Sequence, residues 1–283
     1  MSTHGLAQLP ADDHLAPKTA FKVLQSTVLL STENSTLEIA FHGAHIVSWI
    51  VRNVQQLFLS SASSVHGPAP IRGGIPICFP VFGPPPSKDP FLKLNQHGFA
   101  RNLPWTFDGV QQSQDSINAR FILNSSNPQV QKIFQPAFEC LYTIKLNHST
   151  LTTSLKVTNP AHSNLQFQAL FHTYLRLPPQ SQPSDVRLKP LKGLSYTDKV
   201  LGGKTFTEER DQVDFLAGEV DRVYNHVPNQ IEIDFASQKK ILLTTSSLPN
   251  LTVWNPHQIK SDAMADMEKE GSQTLTVQSI KNC

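Results

Sequence analysis

Arginines and histidines stand in glycine-marked segments of this chain, and their types and spacing could bind and protonate an anionic ligand. Arg72 opens the run RGGIPICFPVFG, which ends at Gly83. Its planar fork suits a phosphate or a carboxylate, and the two glycines behind it let backbone approach a ligand closely. The run lacks the GxGxxG spacing and the P-loop lysine, so nucleotide binding fits poorly. The plainer alternative is a tight loop with a surface arginine. QHGFARN follows, from Gln96 to Asn102, just ahead of Trp105. His97 can donate, accept or shuttle a proton near neutral pH, and Arg101 could be a second phosphate ligand. Taken singly, a lone His or Arg is more often structural than functional. Three further segments carry polar groups: FHTYLR (Phe171–Arg176), EVDRVY (Glu219–Tyr224), and VWNP (Val253–Pro256) with Asp266 downstream.

These residues must be positioned by strands. In Leu151–Val157, residues Leu151, Thr153, Leu155 and Val157 share one face and Thr152, Ser154 and Lys156 the other. Cys140, Tyr142, Ile144 and Leu146 alternate in the same way, as do Ile231, Ile233 and Phe235. Period-two alternation predicts half-buried antiparallel strands. Further strands are expected at Thr36–Phe41, His45–Val51, Ile117–Leu123, Leu165–Leu177, Ile241–Thr245 and Leu251–Trp254. Long helical periodicity is absent, and 21 prolines oppose long helices. Many short strands with Pro-, Gly- and Asn-rich turns predict an all-β antiparallel sandwich. The strand through His172 is unusual: Gln166, Gln168, Leu170, His172, Tyr174 and Arg176 line one face. That row suits a concave surface gripping a hydroxyl-rich ligand, or an ordinary wet sheet face.

The bulk numbers narrow the classes. A chain of 283 residues with 39% hydrophobic residues can form one large all-β domain, since such domains run to about 200–250 residues. Residues 1–20 are polar and read as a flexible tail, with a single domain over 21–283. Net charge is +2, and no basic stripe suggests nucleic acid. No apolar run reaches the roughly 20 residues that cross a bilayer, and the N-terminus does not read as a signal peptide. The cysteines, Cys78, Cys140 and Cys283, offer no metal or disulfide pattern. A cytoplasmic setting is expected, without membrane or nucleic-acid partners.

In order and at plausible spacing, RGGIP…FPVFG, QHGFARN, FHTYLR, EVDRVY and VWNP…MAD resemble the motifs of the hexose-6-phosphate mutarotases, or glucose-6-phosphate 1-epimerases, of the galactose-mutarotase-like superfamily. The resemblance runs from about Thr36 to Asp266. It implies an antiparallel super-sandwich, a hexose 6-phosphate substrate, and ring opening by one acid and one base with no metal or cofactor; a monomer is expected. Carried over by position, it implies that Arg72 and Arg101 hold the phosphate. Gln96, His97 and Asp221 bind the sugar, and His172 is the acid that protonates the ring oxygen. Trp254, Asn255 and Pro256 match a wall segment, with His257 where the family usually has tryptophan.

One departure touches the chemistry. The family's base is a glutamate followed by Pro-Gly at the end of a short strand; the corresponding strand here is Leu275–Ile280, and the matching position is Gln278. An amide can hydrogen-bond a hydroxyl but cannot take its proton. The family's last strand is expected to be missing, which would expose a sheet edge. Glu268 and Glu270 are expected as solvated loop charges, and Asp221 is the better substitute base if it faces the sugar. A sugar-phosphate binder that has lost catalysis is therefore the alternative to an active mutarotase.

Overall fold

The computed structural model describes residues 18–215, 218–236, 239–267, 271 and 274–282, with backbone alone for 278–282. Strands dominate, and every strand pair is antiparallel. The first meander is β1 (Ala20–Val23), β2 (Thr27–Ser31), β3 (Ser35–Ala40), β4 (His45–Val51) and β5 (Val54–Gln55). After the short β6 (Ile77–Cys78) comes a second meander: β7 (Thr106–Gln112), β8 (Ile117–Asn124), β9 (Glu139–Leu146) and β10 (Leu151–Thr158). The remaining strands are β11 (Gln168–Arg176), β12 (Val186–Lys189), β13 (Ser195–Asp198), β14 (Lys204–Thr207), β15 (Val220–Tyr224), β16 (Gln230–Phe235), β17 (Lys239–Thr244), β18 (Asn250–Asn255) and β19 (Thr274–Asn282). They form a seven-stranded sheet in the order β14-β13-β15-β18-β19-β11-β6 and a small sheet β12-β16-β17. The described helices are short, α1 (Pro128–Gln131) and α2 (His257–Ala263), and none is long and apolar enough to cross a membrane.

The alternation in the sequence becomes burial. Cys140, Tyr142, Ile144 and Leu146 are wholly buried, as are Ile231, Ile233 and Phe235 within 1%. Burying each such aliphatic or aromatic side chain contributes about 1.5–3 kcal/mol, so truncating Ile144 to alanine should cost about 2–5 kcal/mol. Cys78 and Cys140 are buried free thiols. The strand expected at Leu165–Leu177 begins only at Gln168. Upstream, Asn159 closes a turn by donating from Nδ2 to Ser163 O (2.7 Å) and accepting from Ala161 N (3.0 Å), which holds the preceding residues out of the ladder.

Position 278 lies in an inner strand, because β19 is paired by β11 on one side and β18 on the other. The expected tail falls mostly on residues 1–17, outside the described set; Thr19 is buried and donates to Ser113 O (3.1 Å).

Candidate active site

The site is built on β11 and the segment beside it. Tyr174 N donates to Gly74 O (2.9 Å), His172 N to Pro76 O (2.9 Å) and Gln168 N to Pro80 O (2.8 Å). Pro76 and Pro80 need only accept along this run, so their missing N–H groups cost nothing there. Gly74 has φ +62, and a Cβ on it would stand 2.2 Å from Ile46 O; no other residue fits that turn. The turn is also pinned from behind by His45, completely buried, whose Nε2 donates to Gly73 O (2.8 Å). Burial pushes the His45 pKa down to about 3, so the ring is neutral.

Arg72 projects from this turn. Its Nε and Nη2 donate to Asp266 Oδ2 (2.9 and 2.7 Å), and Nη1 donates to the Tyr174 hydroxyl (3.1 Å). The Tyr174 ring stacks on His172 at 4.6 Å between centroids and meets Trp254 edge-on at 6.3 Å. The His172 ring in turn meets His97 edge-on at 5.8 Å.

His97 and Arg101 reach the cluster from the neighbouring loop. Gly98, at φ +72, lets that loop press against the β6 segment, where a Cβ would stand 2.1 Å from Phe79 O. Phe79 also packs on Phe99 and Phe138 at 5.9 and 5.2 Å, which fixes the two segments together. His97 Nδ1 accepts from Gly83 N (3.0 Å), leaving its proton on Nε2, and its ring stacks on Phe82 at 5.3 Å. Arg101 Nη2 donates to Gln96 O (3.1 Å), while its buried Nε has no partner among the described residues. Gln96 itself is exposed, its amide nitrogen 3.4 Å from His97 Nε2.

The electrostatics follow from this crowding. Burial first, then the positive charges of Arg101, Lys199 and Arg72, bring the His97 pKa down to about 3. Burial, then His97, Arg101 and Arg72, holds His172 well below the ordinary histidine value. Both imidazoles are therefore neutral at pH 7.

Asp221 stands on β15, at the far end of a row that crosses the sheet. The register runs Asp221, Trp254, Thr276, Tyr174, and the adjacent row runs Val223, Thr252, Gln278, His172. Position 278 is thus directly opposite the His172 position, while its side chain lies outside the described residues, as do Glu268 and Glu270. Asp221 Oδ1 is 3.2 Å from Lys199 Nζ, and that ammonium sits 4.6 Å above the Phe82 ring on which His97 stacks. Burial raises the Asp221 pKa against the opposing pull of Lys199. The next residues of the EVDRVY segment serve the fold: Arg222 pairs with Asp198 (3.0 Å), and the Tyr224 hydroxyl donates to Glu208 (2.8 Å).

Of the residues singled out in the sequence, Arg72, His97, Arg101 and His172 come together, Gln96 lies at the rim, and Asp221 joins through Lys199 and Phe82. Sequence reasoning gave no site role to Tyr174, Asp266, Lys199, Phe82 or His45. Tyr174 lay in the polar row and Asp266 in a quoted motif, but nothing in the pattern marked Lys199 or His45. Among the described residues, no group of three or more His, Cys, Asp or Glu side chains could hold a metal ion.

The model of the aldose 1-epimerase family matches residues 26–281, the strands that carry this cluster included. The chain belongs to the aldose 1-epimerase family. A relative from Cenchrus ciliaris, provisionally named a glucose-6-phosphate 1-epimerase, is 34% identical over 253 residues, spanning 86% of this chain and 74% of the relative. One of the same provisional name from Escherichia coli is 27% identical, over 94% of this chain and 87% of the relative. A crystal structure from Salmonella typhimurium, provisionally named a mutarotase, superposes with a TM-score of 0.80 at 26% identity, covering 96% of this aldose 1-epimerase family chain and 89% of that one. The all-β antiparallel sandwich expected from the strand pattern is the fold of this family member.

Proposed function

We propose that this protein is a hexose-6-phosphate mutarotase, interconverting the α and β anomers of glucose 6-phosphate and related hexose 6-phosphates. The observation that carries the reading is the joining of half-buried Arg72, His97 and Arg101 with buried Tyr174 and His172 in one cluster. Arg72 and Arg101 supply planar donors for a phosphate. His97 Nε2–H and Gln96 offer hydrogen bonds to sugar hydroxyls. His172 delivers a proton to the ring oxygen as the C1–O bond of the ring breaks, and a base takes the proton of the anomeric hydroxyl. C1 then turns and the ring closes on its other face, returning both protons.

Asp221 is the carboxylate best suited to that base role, because burial makes it more basic than an exposed aspartate. Gln278 favours a second reading: at the register position opposite His172 stands an amide, which would leave a sugar-phosphate binder without catalysis. Anomer exchange of glucose 6-phosphate, followed by NMR with binding measured in parallel, separates the two. Exchange above the uncatalysed rate is expected. Binding without faster exchange would establish the binder, and no binding would overturn both.

A further inference from the structure

The charges around His172 pose an electrostatic problem that the substrate itself can solve. Among the described residues, the charged and titratable groups facing His172 include His97 and Arg101 from the 97–101 loop, Arg72 from the turn ahead of β6, and Tyr174 on its own strand. Beyond them lie the buried Cys78 thiol on β6, which Arg101 feels, and Asp266, which already holds Arg72. On β19, the neighbouring register positions are Gln278 and Thr276, and neither titrates. Burial weighs most against a charged His172, and His97, Arg101 and Arg72 add to it, so the imidazole is neutral and a poor proton donor. In a hexopyranose 6-phosphate, the phosphate hangs from the carbon next to the one that bears the ring oxygen. A sugar placed with its ring oxygen at His172 therefore brings its phosphate into the same small volume as the two arginines.

We propose that the substrate's phosphate completes the acid: a phosphate seated on Arg72 and Arg101 draws a solvent proton onto His172, so the phosphate contributes to turnover as well as to binding. The inference rests on the mutarotase reading above. Each opposite charge within about 4–6 Å favours a protonated imidazole by about 1–3 pKa units, and a phosphate ester carries about −1.5 to −2 at pH 7. The dianion also takes up the positive field that otherwise opposes protonation. The proton comes from solvent, so binding near neutral pH includes net proton uptake.

The test uses the full chain and 1,5-anhydroglucitol 6-phosphate, an analogue without an anomeric hydroxyl. The His172 ring signal, assigned by its absence in His172→Gln, is followed by NMR against pH with and without saturating analogue. The expected result is a rise of the His172 pKa from well below the ordinary histidine value to near neutrality or above, with no such rise under saturating unphosphorylated 1,5-anhydroglucitol. Saturable binding of the phosphorylated analogue without that rise would overturn the inference and leave the mutarotase reading standing. Failure of the analogue to bind would overturn both. Calorimetry in buffers of different ionisation enthalpy gives a second readout: proton uptake is expected with the phosphorylated analogue, and its absence overturns the proposal.

Discussion

Replacing Arg72 by alanine should weaken binding of 1,5-anhydroglucitol 6-phosphate and leave binding of 1,5-anhydroglucitol nearly unchanged. A hydrogen bond to a charged group contributes about 1.5–3 kcal/mol, so the loss should be roughly 10- to 150-fold in Kd. Asp266 complicates the site, since its carboxylate takes Nε and Nη2 of Arg72. The Asp266 side chain is 53% exposed, so solvent screens the pair and it is worth at most about 1 kcal/mol. Asp266→Asn should then tighten phosphate binding by up to about fivefold, because a competitor for Arg72 and a like charge near the phosphate are both removed. The double variant Arg72→Ala/Asp266→Asn should bind the phosphorylated analogue more tightly than Arg72→Ala alone. Calorimetric titration of the four proteins closes this cycle. Equal losses for both analogues would show that Arg72 serves structure. Weaker binding in Asp266→Asn would show that the carboxylate aims the arginine rather than competing for it.

Gln278→Glu places a carboxylate at the register position opposite His172; a positioned base is typically worth about 10²–10⁴-fold. Anomer exchange should rise within that range in a protein that remains folded, and an unchanged rate would remove position 278 from the chemistry. His45, with its pKa near 3, also makes stability depend on pH. Its folded pKa lies below the unfolded value of about 6.5, so the unfolded chain binds the extra proton. The stabilisation is full above about pH 6.5 and is lost as pH falls toward 3, at roughly 1.4 kcal/mol per pH unit. In His45→Gln, whose amide can still donate to Gly73 O, urea unfolding between pH 6.5 and 5 should show a slope smaller by about that amount; an unchanged slope would mean His45 does not titrate on unfolding.

Much of the fold was legible because burial on one sheet face imposes period two. Strands β4 and β8–β10, with Tyr142 and Ile144 inward, follow the sequence pattern closely. Short strands such as β5, β6 and β12 were not legible, since two to four residues carry no period. At the site, Arg72, Arg101, His97 and His172 were visible through their glycine-marked motifs and the polar row on β11. Lys199 and His45 were not, because each acts through a partner distant in sequence, Asp221 and Gly73, that only the folded chain supplies. Gln278 was legible as a departure, and the register adds that its position faces that of His172.

The central claim is that His172 moves the proton that opens the sugar ring. It is tested most directly by the NMR exchange rate between the α and β anomers of glucose 6-phosphate in the wild-type protein and in His172→Gln, with folding and analogue binding checked in both. Catalysed exchange in the wild type that falls by about 10²-fold or more in the variant, with the phosphorylated analogue still bound, is the predicted result. Equal catalysed exchange in both proteins would contradict it.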